Sequence, residues 1–299
     1  TVSSSDVTGQ SFVLTGNGTG ANADTLDVKL DAGSVDLSNV AVDPANANVE
    51  IDLTDVAAVA TTIEGSSGAD TLTNAGGGVV TANGNAGADV LNGGTVGDTL
   101  NGGAGADEFT GGTGDDTLNL AETTAAVDNV VLTASATNGQ DTINGFSAGG
   151  GSTDDNVTLV DGDTLAGTGT GDAVVGTITA SLTSGAAAFG SANVDTDDVM
   201  EIETDLSTNG DLSTATDGSE LLKALSSTST AATGITTNAD AAAATDDAYI
   251  VAYQDGDAFL YNGLDGDGSG DFGASEITLV GTFQGVGADS FATGDFLIP

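Results

Sequence analysis

The chain has no cysteine, no histidine, no arginine and no tryptophan, and its two basic residues are Lys29 and Lys223. Proline is confined to Pro44 and Pro299. Each absence excludes a chemistry. Without cysteine there is no disulfide framework, so order must come from packing or from bound ions. Without histidine or cysteine, neither the usual nucleophile triads nor imidazole and thiolate zinc sites can form. Two lysines cannot supply the basic footprint that nucleic acid requires. No apolar run approaches the ~20 residues of a membrane helix, so no transmembrane segment is expected. No N-terminal signal peptide is visible, and the first residue is Thr1 rather than methionine, which points to a processed or truncated product.

What is present is acid and glycine: 45 carboxylates, 46 glycines and a formal charge of −43 over 299 residues. Self-repulsion at that density disfavours a compact state until cations or salt offset it. Salt screens only beyond about 8 Å at physiological strength, so clustered carboxylates still need a counter-ion. A general adaptation to saline water would also produce this composition, but it would not localise the carboxylates.

They are localised. Four nonapeptides run head to tail: GNAGADVLN (84–92), GGTVGDTLN (93–101), GGAGADEFT (102–110) and GGTGDDTLN (111–119). Position six is Asp89, Asp98, Asp107 and Asp116; position eight is Leu91, Leu100, Phe109 and Leu118. A fifth unit, GSSGADTLT (65–73), carries Gly65, Gly68 and Asp70, with Ser66 replacing the second glycine. The stretch 74–83 reads as a degenerate coil with Val79 where aspartate belongs. A flexible linker would not hold aspartate and a large apolar residue in phase. The pattern is that of a parallel β-helix wound around calcium. Glycines allow tight turns that aim carbonyl oxygens inward, and calcium takes 6–8 oxygen ligands. The expected ligand positions are Gly65, Gly68, Asp70, Gly84, Gly87, Asp89, Gly93, Gly94, Asp98, Gly102, Gly103, Gly105, Asp107, Gly111, Gly112, Gly114 and Asp116. The three residues after each aspartate should form a strand whose middle side chain points inward. Successive units should alternate sides, placing Asp89 with Asp107 and Asp98 with Asp116.

On these residues the chain resembles the RTX (repeats-in-toxin) proteins, with surface-layer and adhesin-type members nearest in character. The segment 139–149, with Asp141, Ile143 and Phe146, is similar to the stretch that closes such a roll. The last fifty residues resemble the C-terminal regions of type I-secreted proteins. The resemblance implies an uncleaved C-terminal export signal, passage through the type I secretion machinery, and folding outside the cell in calcium-rich medium.

The expected fold class is all-β: a parallel β-solenoid or β-roll followed by a small β-rich C-terminal domain with one short helix. Four segments are expected. Residues 1–64 are solenoid-like strands, 65–119 the calcium roll, 120–215 a β-rich stretch with long polar loops, and 216–299 the C-terminal domain. The helix is placed at Ser219–Leu225, after Asp217-Gly218, with Leu221, Leu222 and Leu225 facing a sheet.

A second calcium pattern lies at 265–276, DGDGSGDFGASE. Asp265, Asp267, Ser269, Asp271 and Glu276 fall at positions 1, 3, 5, 7 and 12 of an EF-hand loop, with Gly270 at the turn position. Its flanks read as strands, so a structural clip between strands is expected, with a metal-free acidic hairpin as the alternative. The acidic clusters at Asp154-Asp155, Asp161/Asp163, Asp195/Asp197/Asp198 and Asp255/Asp257 read as solvated turns, with calcium binding as their alternative.

The function expected from these features is a calcium-dependent extracellular or cell-surface structural protein. It would fold after secretion and self-associate through calcium bridges into a layer, filament or matrix. The alternative is the calcium-binding and export module of a larger adhesin, toxin or hydrolase. No catalytic residue is assigned and no enzyme activity is expected.

Overall fold

A computed structural model describes residues 2–3, 12–14, 24–29, 35–36, 40–42, 47–52, 61–74, 77–133, 138–160, 175–178, 187–188, 199–206, 210–214, 216–225, 235–236, 247–264, 266, 271–288, 290–292 and 294–297. The fold gathers into two compact units: Thr1–Leu132 with Thr137–Phe146 and Ser152–Val157, and Thr133–Ala136 with Ser147–Gly151 and Thr158–Pro299.

The first unit carries β1 (Val2–Ser3), β2 (Phe12–Leu14), β3 (Asp24–Lys29), β4 (Val35–Asp36), β5 (Val40–Val42), β6 (Ala47–Asp52), β7 (Thr61–Glu64) and β8 (Asp70–Thr73). It continues with β9 (Val80–Ala86), β10 (Val90–Gly94), β11 (Thr99–Ala104), β12 (Glu108–Gly112), β13 (Thr117–Asn119), β14 (Asn129–Thr133), β15 (Asp141–Asn144) and the start of β16 (Asn156–Val160). The chain alternates between two sheets at almost every strand. One sheet runs β1-β3-β6-β8-β10-β12-β14-β16 and the other β4-β7-β9-β11-β13-β15. Pairing is parallel between coils, with Leu72, Leu91, Phe109 and Val130 in one register and Ala82, Leu100, Leu118 and Ile143 in the other. Parallel neighbours need a crossover, and here each crossover is the opposite strand of the same coil.

The core is one side chain deep. Leu72, Leu91, Phe109 and Val130 meet Ile63, Ala82, Leu100, Leu118 and Ile143, all at most 2% exposed. Each nonapeptide thus buries one large apolar side chain, worth about 1.5–3 kcal/mol for a Leu or Phe. The predicted inward-pointing middle residue is found in every nonapeptide, and the strands run on into the following glycines, as in Val90–Gly94. Parallel pairing also continues past the nonapeptides, with β14 beside β12 and β15 beside β13.

One register correction is needed. Val80, not Val79, takes the aspartate position of the degenerate coil: Thr81 pairs with Thr99, and Val80 donates its N–H to Asp98 Oδ1 at 2.6 Å. Val79 is 49% exposed and lies in the turn before it. Asn74 still holds position one, donating its N–H to Asn92 O at 2.9 Å as Gly65 does to Asn83 O at 2.7 Å, so the extra residue of the ten falls between Asn74 and Val80 and shifts the count by one.

The second unit holds β17 (Val175–Ile178), β18 (Ala187–Ala188), β19 (Val199–Asp205), α1 (Ser219–Ala224), β20 (Ile235–Thr236), β21 (Asp247–Gln254), β22 (Asp257–Leu264), β23 (Asp271–Phe272), β24 (Ile277–Gln284) and β25 (Phe296–Leu297). Its main sheet orders β17-β19-β21-β22-β24, parallel as far as β21 and antiparallel after it. The expected helix is present. Leu221, Leu222 and Leu225 pack with Ile250, Phe259, Tyr261, Phe272 and Ile277. Its first turn is held by Asp217, whose carboxylate accepts the Ser219 N–H at 3.0 Å. The Asp255/Asp257 pair is a hairpin device. Asp255 and Gly256 sit at φ 55° and 92° between paired Gln254 and Asp257, as a two-residue primed turn demands. Asp257 accepts the Gly285 N–H at 2.8 Å.

Candidate metal centre

The nonapeptide aspartates are buried, at 1–3% exposure, along the two margins of the roll. Each Oδ1 accepts the backbone N–H of the equivalent residue one coil earlier. On one margin Asp70 N–H donates to Asp89 (2.7 Å), Asp89 to Asp107 (2.9 Å), Asp107 to Asp128 (2.8 Å) and Asp128 to Asp155 (2.9 Å). On the other, Val80 donates to Asp98 (2.6 Å), Asp98 to Asp116 (2.7 Å) and Asp116 to Asp141 (3.1 Å). The predicted alternation of sides is therefore realised, with Asp70 joining Asp89 and Asp107.

The second carboxylate oxygen is different. Oδ2 of Asp89, Asp107 and Asp116 is buried with no hydrogen-bond partner. A buried polar atom without a partner costs about 1–3 kcal/mol, more when charged. These oxygens face the first glycine of their own unit. A Cβ on Gly84 would overlap Asp89 Oδ2 and stand 2.6 Å from Gly102 O, and one on Gly93 would stand 3.0 Å from Asp98 Oδ2 and overlap Gly111 O. Gly102 and Gly111 face Asp107 Oδ2 and Asp116 Oδ2 as closely. Position two needs left-handed backbone: Gly94, Gly103 and Gly112 lie at φ 116°, 107° and 102°, and Asn85 takes 75°. Removing the side chain at position one leaves a hollow lined by a carboxylate oxygen and, at Gly84 and Gly93, a carbonyl of the next coil.

Electrostatics agree. Burial pushes the Asp89 and Asp116 carboxyls up to about 7 and Asp107 up to about 6, against a partial offset from the N–H donors. Asp98 is raised by the same cause. Asp128 rises to about 7 and Asp141 to about 8, again chiefly by burial, with neighbouring carboxylates adding to it. A carboxylate that is hard to ionise alone is ionised by a cation beside it. Hard oxygen donors, mixed carboxylate and carbonyl, suit calcium. Among the described residues no three His, Cys, Asp or Glu side chains surround a common point, so backbone carbonyls must make up the ligand number.

Reading the nonapeptides alone missed Asp128 and Asp155 as members of the ladder and left Asp141 outside the ligand set. All three open the D-x-U-x tail of the repeat: Asp128-Asn129-Val130-Val131, Asp141-Thr142-Ile143-Asn144 and Asp155-Asn156-Val157-Thr158. The glycine-rich half is missing before Asp128, and before Asp155 it keeps Gly150 and Gly151 but has Thr153 where the fourth-position glycine belongs. Asp155 is a buried rung, not a solvated turn.

The EF-hand-like loop lies mostly outside the described residues: Asp265, Asp267, Ser269 and Gly270 are not among them, nor is the Asp271 side chain. Glu276 is described. It accepts the Gly266 N–H at 3.1 Å and the Gly273 N–H at 2.8 Å, closing the base of the loop between β22 and β24. Asp161/Asp163 and Asp195/Asp197/Asp198 also lie outside the described residues.

A sequence model of the RTX calcium-binding nonapeptide repeat (4 copies) matches residues 64–100 and 83–118. No curated protein and no solved structure matches the chain. The matched stretch coincides with the coils whose aspartate oxygens lack partners, and calcium is the ion such repeats bind.

Proposed function

We propose that this chain, an RTX repeat protein, is a calcium-dependent extracellular structural protein that folds after secretion and assembles with copies of itself. Calcium sits at the hollows beside Asp89, Asp98, Asp107 and Asp116, with Gly102 O and Gly111 O as carbonyl ligands from the next coil at the first two. The observation that carries the reading is the set of buried, unpartnered Oδ2 atoms facing side-chain-free glycines. Those atoms disfavour the roll until a cation satisfies them, so ion binding is folding free energy.

Secretion is typical of RTX repeat proteins, and no helix among the described residues is long and apolar enough to cross a membrane. Self-association is supported by two features. A charge of −43 makes neighbouring copies repel unless divalent ions bridge them. Among the described strands β1 and β4 come last in their sheets, and an open parallel edge is a template for another strand. A head-to-tail contact that does not close produces filaments or layers. A non-enzymatic role accords with the absence of histidine and cysteine.

Electron microscopy with calcium and with chelator tests the assembly. Ordered polymers only with calcium are expected; monomers under both conditions reject it.

A further inference from the structure

The rungs of the two ladders are not equivalent, and the difference lies in what faces the second carboxylate oxygen. At Asp89, Asp107 and Asp116 nothing donates to Oδ2. At Asp98 the Asn74 amide donates to Oδ2 only at the long distance of 3.5 Å, while it donates to Gly78 O at 2.9 Å. Asp70 and Asp141 are served by the protein itself. The Ser66 N–H donates to Asp70 Oδ2 at 2.6 Å and the Ser66 hydroxyl to Asp70 Oδ1 at 2.9 Å. The Asn138 amide donates to Asp141 Oδ2 at 3.0 Å.

The backbone explains Ser66. It holds position two of its unit, where Asn85, Gly94, Gly103 and Gly112 all adopt positive φ. Ser66 does not, since Asn85 and Asp255 are the non-glycine residues with positive φ among those described. A β-carbon makes the left-handed region costly, and serine lacks asparagine's tolerance for it. In this turn the Ser66 N–H meets the Asp70 carboxylate instead of leaving it open. The rest of the hollow is intact: the position of a Gly65 Cβ lies 2.7 Å from both Asp70 Oδ2 and Gly84 O.

We infer that Ser66 and Asn138 stand in for calcium, closing the Asp70 and Asp141 rungs with N–H donors so that these two rungs hold no ion. A proton-bearing donor aimed at the ligand oxygen repels a cation from the same lone pair, and a charge-assisted hydrogen bond already satisfies the carboxylate. Asp70 begins the nonapeptide rungs of its ladder and Asp141 ends its own. Each margin therefore has a rung that is closed by donors of the protein itself.

This inference rests on calcium binding by the neighbouring rungs, and calcium stoichiometry on the full chain separates the two. Equilibrium dialysis against radiocalcium should show one ion fewer per chain in Asp89→Asn. It should show no change in Asp70→Asn or Asp141→Asn. Ser66→Gly restores the double glycine, frees Asp70 Oδ2 and should add one ion per chain. Loss of an ion in Asp70→Asn or Asp141→Asn, or a folded Ser66→Gly with unchanged stoichiometry, overturns the inference. If a variant does not fold, anomalous scattering from calcium-loaded wild-type crystals decides: a peak beside Asp89 and none beside Asp70 or Asp141 supports it, and a peak at either capped rung overturns it. A wild-type chain that takes up no calcium anywhere rejects the underlying reading instead.

Discussion

Asp107 binds its neighbour with one oxygen and offers the other to nothing: Oδ1 accepts the Asp89 N–H at 2.9 Å, while Oδ2 is buried without a partner. One side chain thus serves the fold and the ion at once. Asp107→Asn keeps an acceptor for the Asp89 N–H and removes the anionic ligand. In chelator the variant should melt above the wild type, because a buried group that resists ionisation has become neutral. In calcium it should melt below it. Thermal denaturation followed by circular dichroism in both buffers checks this; parallel shifts in the two would show that Asp107 has no role in ion binding.

The pH dependence of the metal-free roll follows from the same carboxyls. Asp89, Asp116 and Asp128 are raised to about 7 and Asp141 to about 8, against 3.8 for the free side chain. Between those values the folded chain holds more protons than the unfolded one. Its stability therefore increases as pH falls from about 8 toward 4, and is lost as pH rises through the folded values. In EDTA the β signal should be stronger and the melting temperature higher at pH 5 than at pH 8. Replacing Asp89, Asp116 and Asp141 together with asparagine should flatten that slope. A melting temperature that is constant or lower at pH 5 would contradict the assignment.

What was legible in the sequence was whatever repeats in phase. Asp89, Asp98, Asp107 and Asp116, the inward Leu91, Leu100, Phe109 and Leu118, and the alternation of sides all follow from a nine-residue period. So did the short helix, since Ser219 to Leu225 combines a turn signal with a leucine stripe. What escaped was out of phase. Asp128 follows an eight-residue stretch without glycine, 120–127, that replaces the usual turn, and Asp155 follows the glycine and serine run 147–153. Their D-x-U-x tails are intact, but so short a signal is common in an acidic chain. The one-residue error at Val79 has the same origin: an extra residue between Asn74 and Val80 shifts a count that only hydrogen-bond register can restore. The capping of Asp70 by Ser66 was hidden for another reason, because it depends on a backbone angle that sequence spacing does not report.

The thin core should make packing and ion binding interdependent. Leu100 is fully buried between Ala82 and Leu118. Leu100→Ala should destabilise the calcium-loaded roll by about 2–5 kcal/mol. Because the coil holding Leu100 also carries Asp98, the calcium concentration at half-folding should rise in the same variant. A calcium titration followed by circular dichroism measures this; an unchanged midpoint would mean that the coils fold independently of the ions they hold.

Glycine at position one is required for space rather than for conformation, and this separates two otherwise similar substitutions. A Cβ on Gly84 would overlap Asp89 Oδ2 and come within 2.6 Å of Gly102 O, whereas one on Gly77 would meet nothing within 4 Å. Gly84 has no positive φ, so Gly84→Ala imposes no backbone strain that Gly77→Ala avoids. Gly84 lies within β9 and Gly77 in the turn before that strand, both in the same roll. Gly84→Ala should therefore lose one bound calcium per chain and raise the calcium needed for folding, while Gly77→Ala binds as the wild type does. Isothermal titration of the two variants side by side reads the difference. Equal stoichiometry would mean that the hollow in front of Asp89 is not where the ion sits, and that its unpartnered oxygen is satisfied in some other way.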